Sequence, residues 1–332
     1  KLKHTILNIP GGKKVSLGGA ISGNVHGRDS HYNYSTFGDN IISLKVMSED
    51  GSIKIITNKK KIFYKIVGGL GLYKIILEAK LKVFKVENYY YEETPKLIKS
   101  EKEFKKYHKY LQTFFGYINP FNKNKLEGKF FHLIPVKELN NNKIIKLEKY
   151  TIISFLYYLG IIRLISFFVF PFTLKIFYST LFLAHRFYPP FKNKRLLDIE
   201  KNIYISSINQ YLPYFYRGGM IEIQFSCSER VLYYLISKLK NLFFQYNAFP
   251  FFFIVKKVHK SIKNYIFNFP KNNFSISMGF SKFEYENKKA LFILLYKYLL
   301  SKKCNLYLTK DETFLENLNK IWDRFCRFGD IP

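Results

Sequence analysis

A chain of 332 residues, 48% hydrophobic and 19% aromatic, excludes a disordered protein; it is long enough for two domains, since single cores stop growing at roughly 250–300 residues. Fifty-four lysines and arginines against 24 acids leave a net charge of +30, a field that suits phosphates, nucleic acid or an anionic membrane and does not suit a cationic partner. Cys227, Cys304 and Cys326 are an odd set without Cys-x-x-Cys spacing, which excludes a disulfide framework and a cysteine zinc site and points to a reducing, cytoplasmic compartment. An A/T-rich coding sequence would also enrich Lys, Asn, Ile, Phe and Tyr, so the charge by itself assigns no function. Residue 1 is lysine rather than methionine, and targeting cannot be read from this start.

In chain order, Ile41–Thr57 reads as strand, Asp50-Gly51 turn, strand. Leu77–Glu87 alternates apolar and polar residues and predicts a further strand. A charged, Tyr-rich stretch over Glu87–Glu103 reads as a connector, placing a first unit at 1–92 and a second at 93–303. Within the second, Glu101–Phe115 reads as an amphipathic helix and Lys129–Val136 as a strand. Strands are expected at Gly219–Cys227, Pro250–Val258 and Asn273–Phe283, with helices at Ser228–Gln245 and Glu286–Lys302. Strands and helices in that order predict an α+β architecture, an antiparallel sheet with helices on one face. The last segment, 304–332, reads as a short strand, a Lys310-Asp311 turn and a final helix.

Ile152–Ala184 is apolar, but Arg163, Pro171 and Lys175 interrupt every window of the roughly 20 apolar residues a spanning helix needs. Helices that are buried, or that lie at a membrane surface with their cations snorkelling outward, account for it better. A second basic, aromatic stretch, Asn241–Lys260, carries an alternative reading as a base-stacking surface for single-stranded nucleic acid. Its aromatics are contiguous rather than alternating, which favours a buried strand, and no specific nucleic-acid partner is expected.

Two glycine-bearing loops hold the candidate chemistry. Gly68-Gly69-Leu70-Gly71-Leu72-Tyr73-Lys74 lacks the final glycine of a dinucleotide fingerprint; it fits either a tight structural turn or a close backbone approach to a cofactor. Gly23–Gly38 concentrates His26, Arg28, Asp29 and His31 among three glycines with almost no aliphatic content. His26 and His31 are five apart and no Cys or carboxylate cluster completes a metal set, so no metal is expected. No P-loop or nucleophile elbow is present.

Taken together, Gly18-Gly19-Ala20-Ile21, Asn24-Val25-His26-Gly27-Arg28-Asp29, Thr36-Phe37-Gly38, the Asp50-Gly51 hairpin and Val67-Gly68-Gly69-Leu70-Gly71-Leu72 resemble the second lobe of the PCMH-type FAD-binding domain. That is the FAD-linked oxidase superfamily, of vanillyl-alcohol-oxidase type. Within it the likeness is to the decaprenylphosphoryl-β-D-ribose oxidase group and the related sugar-lactone and alditol oxidases. Leu306–Asp311 is similar to that group's strand-to-turn motif with its active-site lysine. The resemblance implies the C-terminal lobe of an FAD-binding domain joined to a substrate (cap) domain, with 304–332 returning to the FAD lobe. It implies FAD as cofactor, with Gly18, Gly19, Ala20, Asn24, His26, Gly27, Phe37, Gly68, Gly69 and Gly71 lining it. Lys310 and His26 are implied as catalytic residues. Arg28, Gln224, Lys256 and Ser277 are implied on the substrate side, Arg28 where the family usually has lysine and Ser277 where the group can carry cysteine.

The implied reaction is oxidation of a secondary alcohol of a sugar or polyprenyl-phosphate-linked sugar, with the electron acceptor unidentified. Peripheral contact at the inner face of a membrane would suit such a substrate. The same scaffold also allows a soluble aldonolactone oxidase, and a non-catalytic basic binding protein is the reading from another class. The family's first FAD lobe would precede Lys1, so the chain reads as a piece of a longer enzyme.

Overall fold

The structure, a computed structural model, describes residues 4–8, 10, 15–27, 35–85, 90–109, 111, 114–136, 167–187, 195–198, 217–259, 263–266, 269–270 and 273–310. Arg28, His31, most of Ile152–Ala184 before Phe167, and the expected final helix after Lys310 lie outside them.

The first layer is a three-stranded antiparallel sheet, with β2 (Ile41–Met47) between β3 (Ile53–Thr57) and β4 (Ile75–Leu81). The predicted hairpin is present. Gly51 takes the left-handed backbone the turn requires (φ +77°), and Asp50 accepts from the Ser52 N–H and hydroxyl at 3.0 and 2.7 Å. The strand expected at Leu77–Glu87 starts two residues earlier and ends at Leu81, followed by the short β5 (Phe84–Lys85), which pairs with β1 (His4–Thr5). Leu44 and Val46 of β2 face Ile21 of α1 (Leu17–Ser22) and Phe63 and Ile66 of α2 (Phe63–Ile66), forming a small separate core.

The second layer is an eight-stranded antiparallel sheet with the order β13-β10-β12-β11-β7-β8-β6-β9. Its strands are β6 (Tyr90–Ile98), β7 (Phe114–Ile118), β8 (Gly128–Val136), β9 (Arg195–Asp198), β10 (Met220–Cys227), β11 (Phe252–Lys257), β12 (Phe274–Ser281) and β13 (Asn305–Leu306). The helices are α3 (Glu101–Lys109), α4 (Pro171–Phe187), α5 (Glu229–Gln245), α6 (Lys282–Asn287) and α7 (Lys289–Ser301). In β12, Phe274, Ile276, Met278 and Phe280 enter the large core, while Ser275, Ser277 and Gly279 alternate onto the opposite face. Leu232, Leu235, Ile236, Leu239 and Phe243 of α5 recur at three- and four-residue spacing and close that core with α7, so helices cover one face as expected.

Two expectations are corrected. From Tyr90 on, the stretch read as a connector is strand: Tyr90–Ile98 pairs residue for residue with β8, and Pro95 lies past the last residue paired with β9 among the described residues. The helix from Glu101 stops at Lys109, because Phe114 and Ile118 are core residues of a strand between β8 and β11. Gly116 makes that strand possible, since a Cβ there would lie 2.2 Å from the Phe130 ring. Of the aromatics in Asn241–Lys260 read for base stacking, Phe243, Phe249, Phe252 and Phe253 are buried, while Phe244 is exposed.

His108 ties α3 to this core. Its Nε2 lies 2.9 Å from the Tyr233 hydroxyl and 3.3 Å from Glu229, and its carbonyl accepts from Lys257 at 3.1 Å. Burial holds its pKa below the usual 6.5; the Glu229 carboxylate opposes that shift and the Lys257 ammonium adds to it. Between the folded and unfolded values the unfolded chain binds more protons, so this contribution is complete above about pH 6.5 and lost as the pH falls through the folded value. Denaturant unfolding should therefore show stability declining as pH drops from about 7.5 to about 5.5, with a shallower decline in His108→Gln.

Candidate active site

The face of the large sheet opposite the helices is polar yet largely buried. On β10 it presents Glu222, Gln224 and Ser226; on β12, Ser275 and Ser277; on β11, Lys256. Register sets Gln224 beside Ser277 and Ser275 beside Lys256. Gln224 is 2% exposed, and Ser226 and Ser275 are as deeply buried. Such groups stay inside only when hydrogen-bonded.

The first lobe supplies the cover. After α1 the chain turns at Asn24 (φ +41°), and its Oδ1 accepts from the Gly38 N–H at 2.9 Å. That turn carries His26-Gly27 across the sheet. Lys256 Nζ lies 2.8 Å from His26 Nδ1 and 3.3 Å from the Gly27 carbonyl; a Gln224 amide atom lies 3.1 Å from His26 Nε2 and 2.8 Å from Ser275 Oγ. An ammonium can only donate, so Nδ1 accepts and the ring proton sits on Nε2. The amide atom facing that proton is then the oxygen, which also accepts from the Ser275 hydroxyl. The other amide atom of Gln224 has no partner among the described residues. The imidazole is caged by Phe269 and Tyr307, each ring 5.1 Å away, which stack on one another at 4.6 Å.

Tyr307 follows β13, and its N–H donates to the Gln224 carbonyl at 2.8 Å. Burial, and to a lesser degree the Glu222 carboxylate, push its phenol well above the ordinary tyrosine range. Glu222 accepts a hydrogen bond from the Ser277 hydroxyl. The turn Leu308–Lys310 rests beside β10 and brings the Lys310 backbone to this end of the sheet. Cys227 and Cys304 are buried, with thiols pushed up by desolvation, and face the other side as inert core.

The sequence-predicted residues divide into groups. His26, Gly27, Gln224, Lys256 and Ser277 come together in one cluster, and Asn24 anchors the loop behind them. Gly18, Gly19 and Ala20 lie on α1, where Gly18 has open space beside its Cα and Ala20 packs into the small core. Phe37 is likewise core, its N–H donating to the Val25 carbonyl. Gly68 and Gly71 hold left-handed turns, and Gly69 is a packing glycine whose Cβ would lie 2.0 Å from the Lys65 carbonyl. Glu222, Ser275, Phe269 and Tyr307 were not singled out from sequence. The signal available was the polar alternation in Glu222-x-Gln224-x-Ser226 within an otherwise apolar strand.

This arrangement, a small lobe laying a His-Gly loop across a buried polar sheet, is an α+β fold similar to that of the solved oxidase structures below. The likeness to solved structures carries the fold. One is a BBE-like protein from Arabidopsis thaliana, with TM-score 0.56, 14% identity and coverage of 94% of this chain and 64% of that one. Another is a histidine-to-alanine mutant of cholesterol oxidase from Brevibacterium sterolicum, with TM-score 0.58, 9% identity and coverage of 87% and 62%. By sequence, 86 residues are 31% identical to decaprenylphosphoryl-beta-D-ribose oxidase of Mycolicibacterium smegmatis, spanning 25% of this chain and 18% of that protein. A further 28% identity over 74 residues links it to an uncharacterized protein of Streptomyces coelicolor, 22% of this chain and 20% of that one. The chain thus spans less than two thirds of each of these four proteins. No family model matches it.

The polar groups beside His26 are compatible with the FAD that the resemblance implies. Two buried polar atoms flanking the His26 loop, Asn24 Nδ2 and one amide atom of Gln224, lack partners among the described residues and call for a polar ligand. Among the described residues no His, Cys, Asp and Glu group could hold a metal ion.

Gly38 fixes the loop that carries His26. A Cβ there would meet Asn24 Oδ1 and Val67 Cγ1 at 2.5 Å and Tyr265 Oη at 3.0 Å. Gly38→Ala should destabilise by about 1–3 kcal/mol in thermal or denaturant unfolding.

Proposed function

We propose that this chain is part of an FAD-dependent oxidoreductase that oxidises a secondary alcohol of a sugar or a lipid-phosphate-linked sugar. The observation that carries the reading is the junction at His26, where the loop of one lobe is clamped by Gln224 and Lys256 of the other above a buried polar surface. A buried polar surface of this kind strengthens the charge interactions a transferring hydride requires.

FAD, when bound, supplies the acceptor for the hydride that leaves the alcohol carbon. Every other part falls to the protein. Lys256 fixes the His26 tautomer and adds a cation beside the loop, which suits a phosphate-bearing or hydroxyl-rich substrate. The unpartnered amide atom of Gln224 is available to orient the ligand. Lys310, at the end of the strand-to-turn motif, is assigned by the resemblance as a second cation able to stabilise developing negative charge. Loss of hydride from carbon and of the proton from oxygen gives the ketone, so the proton needs an acceptor. Glu222, on the Gln224 face of β10 and oriented by Ser277, takes that role.

In the full natural protein, purified with flavin and assayed by flavin bleaching on addition of sugar-alcohol substrates, Glu222→Gln should lower the reduction rate by about 100-fold or more. The absorbance of bound flavin should be unchanged. Lys310→Ala should abolish substrate reduction. Unaltered rates in either variant remove that residue's role, and a protein that takes up no FAD removes the reading as a whole.

A further inference from the structure

Helix α4 is apolar on two opposite sides. Leu174, Tyr178 and Phe182, four residues apart, are buried, and the Tyr178 hydroxyl donates to the Phe251 carbonyl at 3.0 Å. Phe172, Ile176 and Leu183 fall within about 40° of one another on the far side of a helix of 3.6 residues per turn, and all three are exposed. The approach to the helix extends this face with Phe167, Phe168 and Phe170, also exposed; Phe168 and Phe172 each keep 66% of their surface open. Single exposed apolar residues need no explanation, whereas a contiguous cluster of exposed phenylalanines on and before one helix marks a contact surface.

Charge selects what covers it. From Lys149 to Leu197 the sequence carries seven lysines and arginines and no aspartate or glutamate. Lys175 sits on the exposed side of α4. Arg217 lies between two rings, its guanidinium carbon 4.0 Å from the Phe283 centroid and 5.4 Å from that of Phe167. A stacked, solvent-exposed guanidinium keeps its N–H edge for phosphate oxygens while its faces remain in apolar contact. A second copy of this surface would set cation against cation, and a partner of matching chemistry has to be apolar and anionic together.

We propose that α4 and the Phe167–Phe170 approach dock on an anionic lipid bilayer, the phenyl rings entering the acyl boundary while Lys175 and Arg217 meet the headgroups. The helix lies in the surface: no helix among the described residues is long and apolar enough to cross a membrane. The proposal does not depend on the flavin chemistry, because neither the patch nor its test involves the His26 cluster.

The test is flotation of the full natural protein with vesicles of phosphatidylcholine, with and without phosphatidylglycerol. The protein should partition at least about tenfold more strongly onto the phosphatidylglycerol vesicles. The double variant Phe168→Ser/Phe172→Ser should lose about 100-fold in partitioning, since burying each phenyl ring is worth about tenfold or more. Arg217→Gln should lose about fivefold. A Phe172→Trp reporter should blue-shift when the vesicles are added, which reads insertion without removing an apolar side chain. The proposal falls if neither vesicle is bound, if the double variant binds like the parent so that net charge alone acts, or if the tryptophan does not shift. It falls equally if sedimentation shows a lipid-free dimer that the double variant dissolves.

Discussion

The organising constraint of this molecule is that β10 and β12 are buried on both faces while only one face is apolar. Ile223, Phe225, Ile276 and Met278 bury against helices without further conditions. Gln224, Ser226, Ser275 and Ser277 are nearly as inaccessible, and each needs a hydrogen-bond partner that helices packed by apolar contacts cannot offer. That requirement draws the His26 loop onto the sheet and leaves an amide atom of Gln224 and Asn24 Nδ2 to be satisfied by whatever ligand enters. The buried polar face arises here from the same alternation that builds the core, carried to the other side of the sheet.

The second constraint is the seam between the lobes. Between β11 and β12 the chain crosses to the small core, where the Tyr265 hydroxyl donates to Asp39 at 3.0 Å, Lys263 reaches the same carboxylate at 3.5 Å, and the Ile266 N–H donates to the Tyr64 carbonyl at 3.1 Å. Asp39 in turn accepts from the Ser35 and Thr36 amides at 2.8 and 3.1 Å and so shapes the end of the loop that began at Asn24. A single carboxylate thereby links the 35–40 turn to the substrate sheet. Tyr265 feels this directly: burial first, and then the Asp39 charge, push its phenol well above the ordinary range. The excursion ends at Phe269, which stacks on Tyr307 and closes the cage around His26. The two lobes are therefore coupled by side chains that also form the site, and displacing one moves the other.

The surface proposed to dock on lipid obeys the same balance in a different place. The sheet and the inner side of α4 use apolar residues to exclude water within the fold, whereas on the outer side of α4 apolar residues are exposed. Its lack of acidic residues and its cations complete the chemistry of an interface rather than of a core.

Sequence alone determined what local pattern controls. The Asp50-Gly51 hairpin, strands β10, β11 and β12, helices α5 and α7 and the glycine-bearing loops were legible because periodicity of two or 3.6 residues and turn chemistry act over a few neighbours. His26, Gln224, Lys256 and Ser277 were legible as separate positions through family resemblance. Only the tertiary structure decided that they meet, since His26 and Lys256 are 230 residues apart and their contact depends on strand register and the seam at Asp39. It also decided that Tyr90–Ile98 and Phe114–Ile118 are strands, because pairing with β8 and β11 outweighs a charged or helical local pattern. Glu222, Ser275 and Tyr307 became site residues for the same reason: cross-strand register, absent from any short window of sequence, sets which face of a strand meets a ligand.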